Sequence, residues 1–207
     1  MRPTIWIGGA SHALAFGKAF VELIKMLRKN FIVKTFGKNG ATYADIQWPD
    51  AAEMQPGDIV LLFVFGNDMF LKNSHLITRD GGQKIIHLKS WRPQSEDHVV
   101  NMCASLDARL EKIPCRVFIV TAFFRHLFCC QKHRFPDMLR HQKRYNKIIF
   151  EYFQNKQNRV IIDHRKLVMP SRPKHVTRYR QKQPDSVHFS VAEYERMASV
   201  ILDIMLV

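Results

Sequence analysis

Apolar runs and amphipathic stretches alternate along this chain, and their periods predict its elements. Thr4 to Gly8 reads as a buried first strand. Ala13 to Lys29 follows at helical spacing, with Leu14, Phe20, Leu23, Ile24 and Leu27 falling on one side. Phe31 to Thr35 is a second short strand. Asp58 to Phe65 is a continuous apolar run rich in β-formers, as a strand covered on both faces requires. Gln94 to Lys112 is helical, with Val99, Met102, Cys103, Leu106 and Leu110 inward. Arg116 to Ala122 is a further strand, Phe135 to Gln157 a long mixed helix, and Arg159 to Asp163 a fifth strand. Val191 to Leu206 closes the chain as a helix, with Ser190 at its N-cap and Glu193 three residues on. Two segments break the alternation. Leu76 to Leu88, with Asp80-Gly81-Gly82 at its middle, reads as a hairpin, and Leu167 to Pro184 as a proline-containing basic loop.

Strand–helix alternation implies a parallel sheet with helices on both faces. The 207 residues fit one domain, 1–207, large enough to bury a core. The expected fold is a three-layer α/β/α sandwich, flavodoxin-like in outline, on a short parallel sheet of about five strands. In such sheets ligands bind beyond the carboxyl ends of the strands.

Chemistry-bearing residues gather at that edge. Ser11 follows the first strand in Gly9-Ala10-Ser11, and His188 lies three residues after an acid in Asp185-Ser186-Val187-His188, just before the last helix. A serine in a strand-to-helix turn, an imidazole and a carboxylate are the components of an acyl-transfer triad, since a serine hydroxyl is a poor nucleophile until a base takes its proton. Gly40 follows the second strand, and Asn67, in Phe65-Gly66-Asn67-Asp68, follows the third. Each piece has a plainer alternative: Ser11 as a helix cap, Gly66-Asn67 as a turn, Asp185 and His188 as a capping acid and a surface histidine.

Ser, Gly, Asn and His in this order and at these positions resemble the four blocks of the SGNH (GDSL-type) hydrolases, across nearly the whole chain. The resemblance implies Ser11 as nucleophile, His188 as base, Asp185 as the group orienting it, and an oxyanion hole of the Ser11 N–H, the Gly40 N–H and the Asn67 side chain. It implies an esterase acting on acetyl or short-acyl esters without a metal or other cofactor. At Gly40 a side chain would crowd a backbone donor away from the substrate. The first block departs from the family's Gly-Asp-Ser, having Ala10 before the serine and His12 after it.

Three segments, Trp6 to His12, Val64 to Phe70 and Phe124 to Cys130, also look like the esterase domain in the first open reading frame of some LINE retrotransposons. More distantly, the chain is similar to the Oskar-type SGNH-like domain, which binds RNA without a triad.

Charge adds a second theme. The formal net charge is +14 and the pI about 9.9, which points to a polyanionic partner, RNA ahead of an anionic membrane surface. The basic residues cluster twice: Arg165, Lys166, Arg172, Lys174, Arg178, Arg180 and Lys182, and Arg140, Lys143 and Arg144 within a helix. Tyr145 and Tyr179 are interleaved, as base-stacking residues would be. The alternative function is therefore an SGNH-like nucleic-acid-binding module with little or no catalysis. The chain has no apolar run of about 18 residues and no evident leader. Its four cysteines, two of them the adjacent Cys129 and Cys130, read as reduced thiols of an intracellular protein, cytoplasmic or in a ribonucleoprotein or nuclear setting. The cluster His126, Cys129, Cys130 and His133 lacks the usual C-x2-C spacing and reads as packing rather than zinc ligation.

Overall fold

The computed structural model describes residues 2–69, 75–80, 83–88, 93–123, 135–168 and 188–206. Its centre is a five-stranded parallel sheet of β1 (Thr4–Gly9), β2 (Ile32–Gly37), β3 (Ile59–Phe63), β6 (Arg116–Val120) and β7 (Arg159–Ile162), in the order β2-β1-β3-β6-β7. Between β3 and β6 the chain inserts an antiparallel hairpin, β4 (His75–Asp80) with β5 (Gln83–Leu88). The helices are α1 (Ser11–Met26), α2 (Glu96–Leu110), α3 (Phe135–Phe153), the short α4 (His164–Val168) and α5 (Val191–Leu206).

Period-two alternation divides the core. On one face Trp6, Val60, Leu62, Val117 and Ile119 meet Met102 and Leu106 of α2 and Tyr145, Ile149 and Phe153 of α3. On the other Ile5, Ile7, Leu61, Phe63, Phe118 and Val120 meet Phe16 and Phe20 of α1 and Met197, Ile201 and Leu202 of α5. β1 and β3 lie inside the sheet with helices over both faces, which is why their sequences are apolar at nearly every position. The sheet, its five strands and its two helical layers are as the alternation predicts.

The differences are local. α1 begins at Ser11, and its buried stripe runs through Phe16, Phe20 and Ile24; Leu27, expected inward, lies past the helix end and is exposed. Short 3-10 turns at Tyr43–Asp45 and Ala51–Glu53 were not signalled by periodicity. The stretch expected to be a basic loop from Leu167 starts inside α4, where Leu167 and Val168 are buried; positions 169–187 lie outside the described residues. Ser190 does cap α5, accepting from the Glu193 N–H at 3.3 Å, while the Glu193 carboxylate takes Arg196 at 2.7 Å. Among the described residues no helix is long and apolar enough to cross a membrane. The thiols of Cys103 and Cys115 are buried. Burial pushes Cys103 up to about 12 and Cys115 up to about 11, so neither is a nucleophile at neutral pH.

A buried carboxylate ties the start of the two central strands. Asp58 accepts hydrogen bonds from the Thr4 N–H at 2.7 Å, the Gln55 N–H at 3.1 Å and the Trp6 indole N–H at 3.1 Å. Burial alone would raise its pKa, but these donors hold it below the usual 3.8. A group depressed in the folded state adds stability above its unfolded pKa, and that contribution is lost as pH falls through the folded value. Asp58→Ala orphans three donors and is expected to cost about 2–3 kcal/mol at pH 7 in urea unfolding. Below pH 3.8 the gap between variant and parent should narrow.

Candidate active site

The turn that presents Ser11 is built by close approach of three strand ends. Gly9 has φ +143°, and a Cβ on it would sit 2.2 Å from the Phe63 carbonyl oxygen, so no side chain fits between β1 and β3 there. Ala10 precedes the helix in an extended conformation and offers no side-chain cap. Ser11 is the first helical residue, and its Oγ lies 2.7 Å from His188 Nε2, joining positions 177 residues apart. The hydroxyl is thus aimed at an imidazole, not folded back onto the helix as a cap. For the hydroxyl to donate to Nε2 the ring must carry its proton on Nδ1, the atom an orienting carboxylate would serve. Asp185, the expected carboxylate, lies outside the described residues.

The second and third expected blocks meet through the polar residues after β3. Asn67 Nδ2 donates to the Ala41 carbonyl at 2.7 Å, and the Tyr43 N–H donates to Asp68 Oδ1 at 2.9 Å. Two adjacent side chains therefore hold the loop that carries Gly40. Gly40 has φ +73°, but a Cβ there would meet nothing within 4 Å. The left-handed backbone is a reason of its own for glycine at this position. Phe65 also has a positive φ, +76°, unusual for so bulky a residue. Its ring is fully buried, which holds the strained turn that brings Asn67 to the cleft.

Beside the Ser11–His188 pair lies a ring cluster that the sequence pattern does not assign. His12, 7% exposed, stands 5.5 Å from the His188 ring and 4.9 Å from Phe123, and its Nδ1 is 2.8 Å from the Tyr194 hydroxyl. The opposite wall is the segment after β6. The His164 N–H donates to Thr121 Oγ1 at 2.9 Å, and His164 Nδ1 shares a hydrogen bond of 2.7 Å with the same hydroxyl. Asn146 Nδ2 fastens the next residue through the Ala122 carbonyl, also at 2.7 Å. Such contacts cross 24 to 182 residues and leave no local signature in the chain. The cleft bounded by Ser11, His12, Asn67, Thr121 and Phe123 has a free volume of about 10 Å³, room for about one water molecule.

The basic residues divide. Arg172, Lys174, Arg178, Arg180, Lys182 and Tyr179 lie outside the described residues, as do His126, Cys129, Cys130 and His133. Arg140, Lys143 and Arg144 are exposed on α3, and Arg165 and Lys166 on α4. Arg140 pairs with Asp137, Arg144 with Glu96 and Arg165 with Asp163. Tyr145, expected to stack on bases, is corrected: it is 1% exposed in the core, with its hydroxyl 3.7 Å from the Met102 sulfur.

A comparison with family sequence models finds no match, and neither does a comparison with curated protein sequences. Solved structures do match. An acetyl xylan esterase superposes with a TM-score of 0.64 at 16% identity, covering 98% of each chain. A GDSL-like lipase from Bacteroides thetaiotaomicron gives 0.61 at 13% identity over 99% of this chain and 88% of its own. A candidate acylhydrolase from Bacteroides fragilis gives 0.60 at 12% over 99% and 86%. At these identities the likeness is one of fold, and the chain has the α/β fold of the GDSL- and SGNH-like hydrolases.

Proposed function

We propose that this chain is a serine esterase. Ser11 attacks the ester carbonyl as His188 takes its proton. Asp185 holds the imidazolium, and the developing oxyanion is met by the N–H groups of Ser11 and Gly40 and the side chain of Asn67. An acyl-enzyme forms as the alcohol leaves with the proton from His188, and a water activated by the same imidazole releases the acid. The observation that carries this reading is the 2.7 Å approach of His188 Nε2 to Ser11 Oγ at the carboxyl edge of the sheet. The acyl class is acetyl or another short acyl group, with which the acetyl xylan esterase among the structural neighbours agrees.

The decisive experiment is covalent. A fluorophosphonate probe should label the protein on Ser11, and Ser11→Ala should take no label. A folded wild type that takes none overturns the reading.

The basic surface supports a second element of the proposal, binding of a polyanion, with RNA first. Lys143, Lys147, Arg165 and Lys166 are exposed along neighbouring parts of α3 and α4. Retention on RNA should then fall steeply with salt and be lost on charge reversal of Arg172, Lys174, Arg178 and Arg180. Kinship to the LINE esterase domains belongs to the same proposal. It rests on the sequence blocks Trp6 to His12, Val64 to Phe70 and Phe124 to Cys130, of which Phe70 and the third block lie outside the described residues.

A further inference from the structure

The proposed mechanism leaves one buried polar pair beside its site without a part to play. His12 directly follows Ser11 in the first turn of α1, and Tyr194 lies in the first turn of α5. Both are buried, and His12 Nδ1 is 2.8 Å from the Tyr194 hydroxyl. This hydrogen bond ties the beginning of α1 to the beginning of α5. Those beginnings carry the reacting pair, Ser11 in the one and His188 on the segment that enters the other.

The rings around the bond extend the tie to the base. Phe189 follows His188 directly and packs 4.9 Å from Phe123, 5.7 Å from His12 and 5.8 Å from Tyr194. The His188 ring lies 5.5 Å from the His12 ring. His12, Phe123, Phe189 and Tyr194 are all buried, while His188 is only partly so. Close packing leaves buried rings little room to shift. Burying an imidazole and a phenol costs free energy that two apolar side chains would not incur, unless the polar groups meet. What the polar pair adds to packing is direction: a hydrogen bond fixes a distance and an angle, where apolar contact tolerates sliding. Fixing matters at this place. A displacement of about 1 Å between reacting groups costs on the order of 10²-fold in rate, and Ser11 Oγ stands 2.7 Å from His188 Nε2.

We infer that His12 and Tyr194 are positioning residues: their hydrogen bond clips α1 to α5 and keeps the His188 imidazole in reach of the Ser11 hydroxyl. Each acts through the base. The inference deepens the esterase reading and rests on it for the effects on rate, but the placement of His188 is tested separately.

The test uses Tyr194→Phe, which removes one oxygen, and His12→Leu. Each should slow fluorophosphonate labelling of Ser11 and lower kcat toward p-nitrophenyl acetate by about tenfold, with KM within about twofold of wild type. The double variant should lose little more than His12→Leu alone, because both changes remove the same bond. In a His188→Ala background Tyr194→Phe should alter labelling by less than about twofold, since the base it positions is gone. A labelling rate for Tyr194→Phe within about twofold of wild type, or a loss that persists undiminished in the His188→Ala background, overturns the inference. Thermal melting shows which variants are folded, and Tyr194→Phe carries the test alone if His12→Leu does not fold. A second arm needs no catalysis: the nitrogen NMR resonance of His188 Nε2, which reports the hydrogen bond to Ser11. Tyr194→Phe should move it toward its value in Ser11→Ala protein. If wild type takes no label yet Tyr194→Phe moves the resonance in this way, the esterase reading falls and the positioning stands. If wild type is labelled and Tyr194→Phe changes neither the rate nor the resonance, the positioning falls and the esterase stands.

Discussion

Ser11→Ala should lower kcat toward p-nitrophenyl acetate by on the order of 10⁵–10⁶-fold, close to the whole contribution of the triad. The size reflects what the substitution removes. Ser11 Oγ is the atom His188 addresses, at 2.7 Å, and without it the imidazole has only water to activate. What survives is the stabilisation given by the remaining oxyanion donors and by binding. His188→Ala should cost nearly as much, and Ser11→Ala/His188→Ala little more than either alone, because the two act as one unit. Stability should hardly move. Ser11 is already inside the helix with no backbone capping role, and alanine is the better helix former. Thermal melting of the variant checks that the protein is intact. A rate within about tenfold of wild type in a folded Ser11→Ala protein would exclude Ser11 as the nucleophile.

That Ser11 and His188 could be paired from sequence at all reflects where the alternation of elements places them. Both flank helices that begin at the carboxyl edge of one sheet, and that edge could be located from periodicity alone. The rest of the site was less legible for definite physical reasons. Asn67 and Asp68 anchor the loop at Ala41 and Tyr43 across 26 and 25 residues, and nothing in Phe-Gly-Asn-Asp distinguishes an anchor from a turn. His12 could be seen beside the serine, but its partner Tyr194 is 182 residues away. Tyr145 is a different kind of miss. Met138, Gln142, Tyr145, Ile149 and Phe153 are all buried and recur at three- and four-residue intervals, the inward stripe of an amphipathic helix. Reading the cations of that helix as a linear run, with the aromatic interleaved, hid the period that separates them. The positive φ of Gly40 was not legible, since a backbone angle leaves no trace in a sequence beyond the glycine itself.

Asn67→Ala should reduce kcat by about 10²–10³-fold, the effect of deleting one oxyanion donor, about 2.7–4 kcal/mol of barrier stabilisation. Two losses combine in it. The amide has two N–H groups; one holds the Ala41 carbonyl, and the proposed mechanism assigns the other to the oxyanion. Removing the side chain deletes a donor and also loosens the loop that positions the Gly40 N–H. The neighbour separates these losses. Asp68→Ala cuts the loop's other tether, the Tyr43 N–H to Asp68 Oδ1 bond, but leaves Asn67 in place, so its cost should be smaller, about tenfold. Because both variants free the same loop, the double variant should lose less than the product of the two. Asn67→Asp gives the sharpest contrast: nearly the same shape, no N–H, and a negative charge facing the developing oxyanion, so its kcat should fall at least as far as that of Asn67→Ala. In each case the loss should appear in kcat with KM little changed, since the donor acts on charge that exists only in the transition state. If Asn67→Ala keeps kcat within about threefold of wild type, the oxyanion is held by other groups, and Asn67 is only the strut of the Gly40 loop.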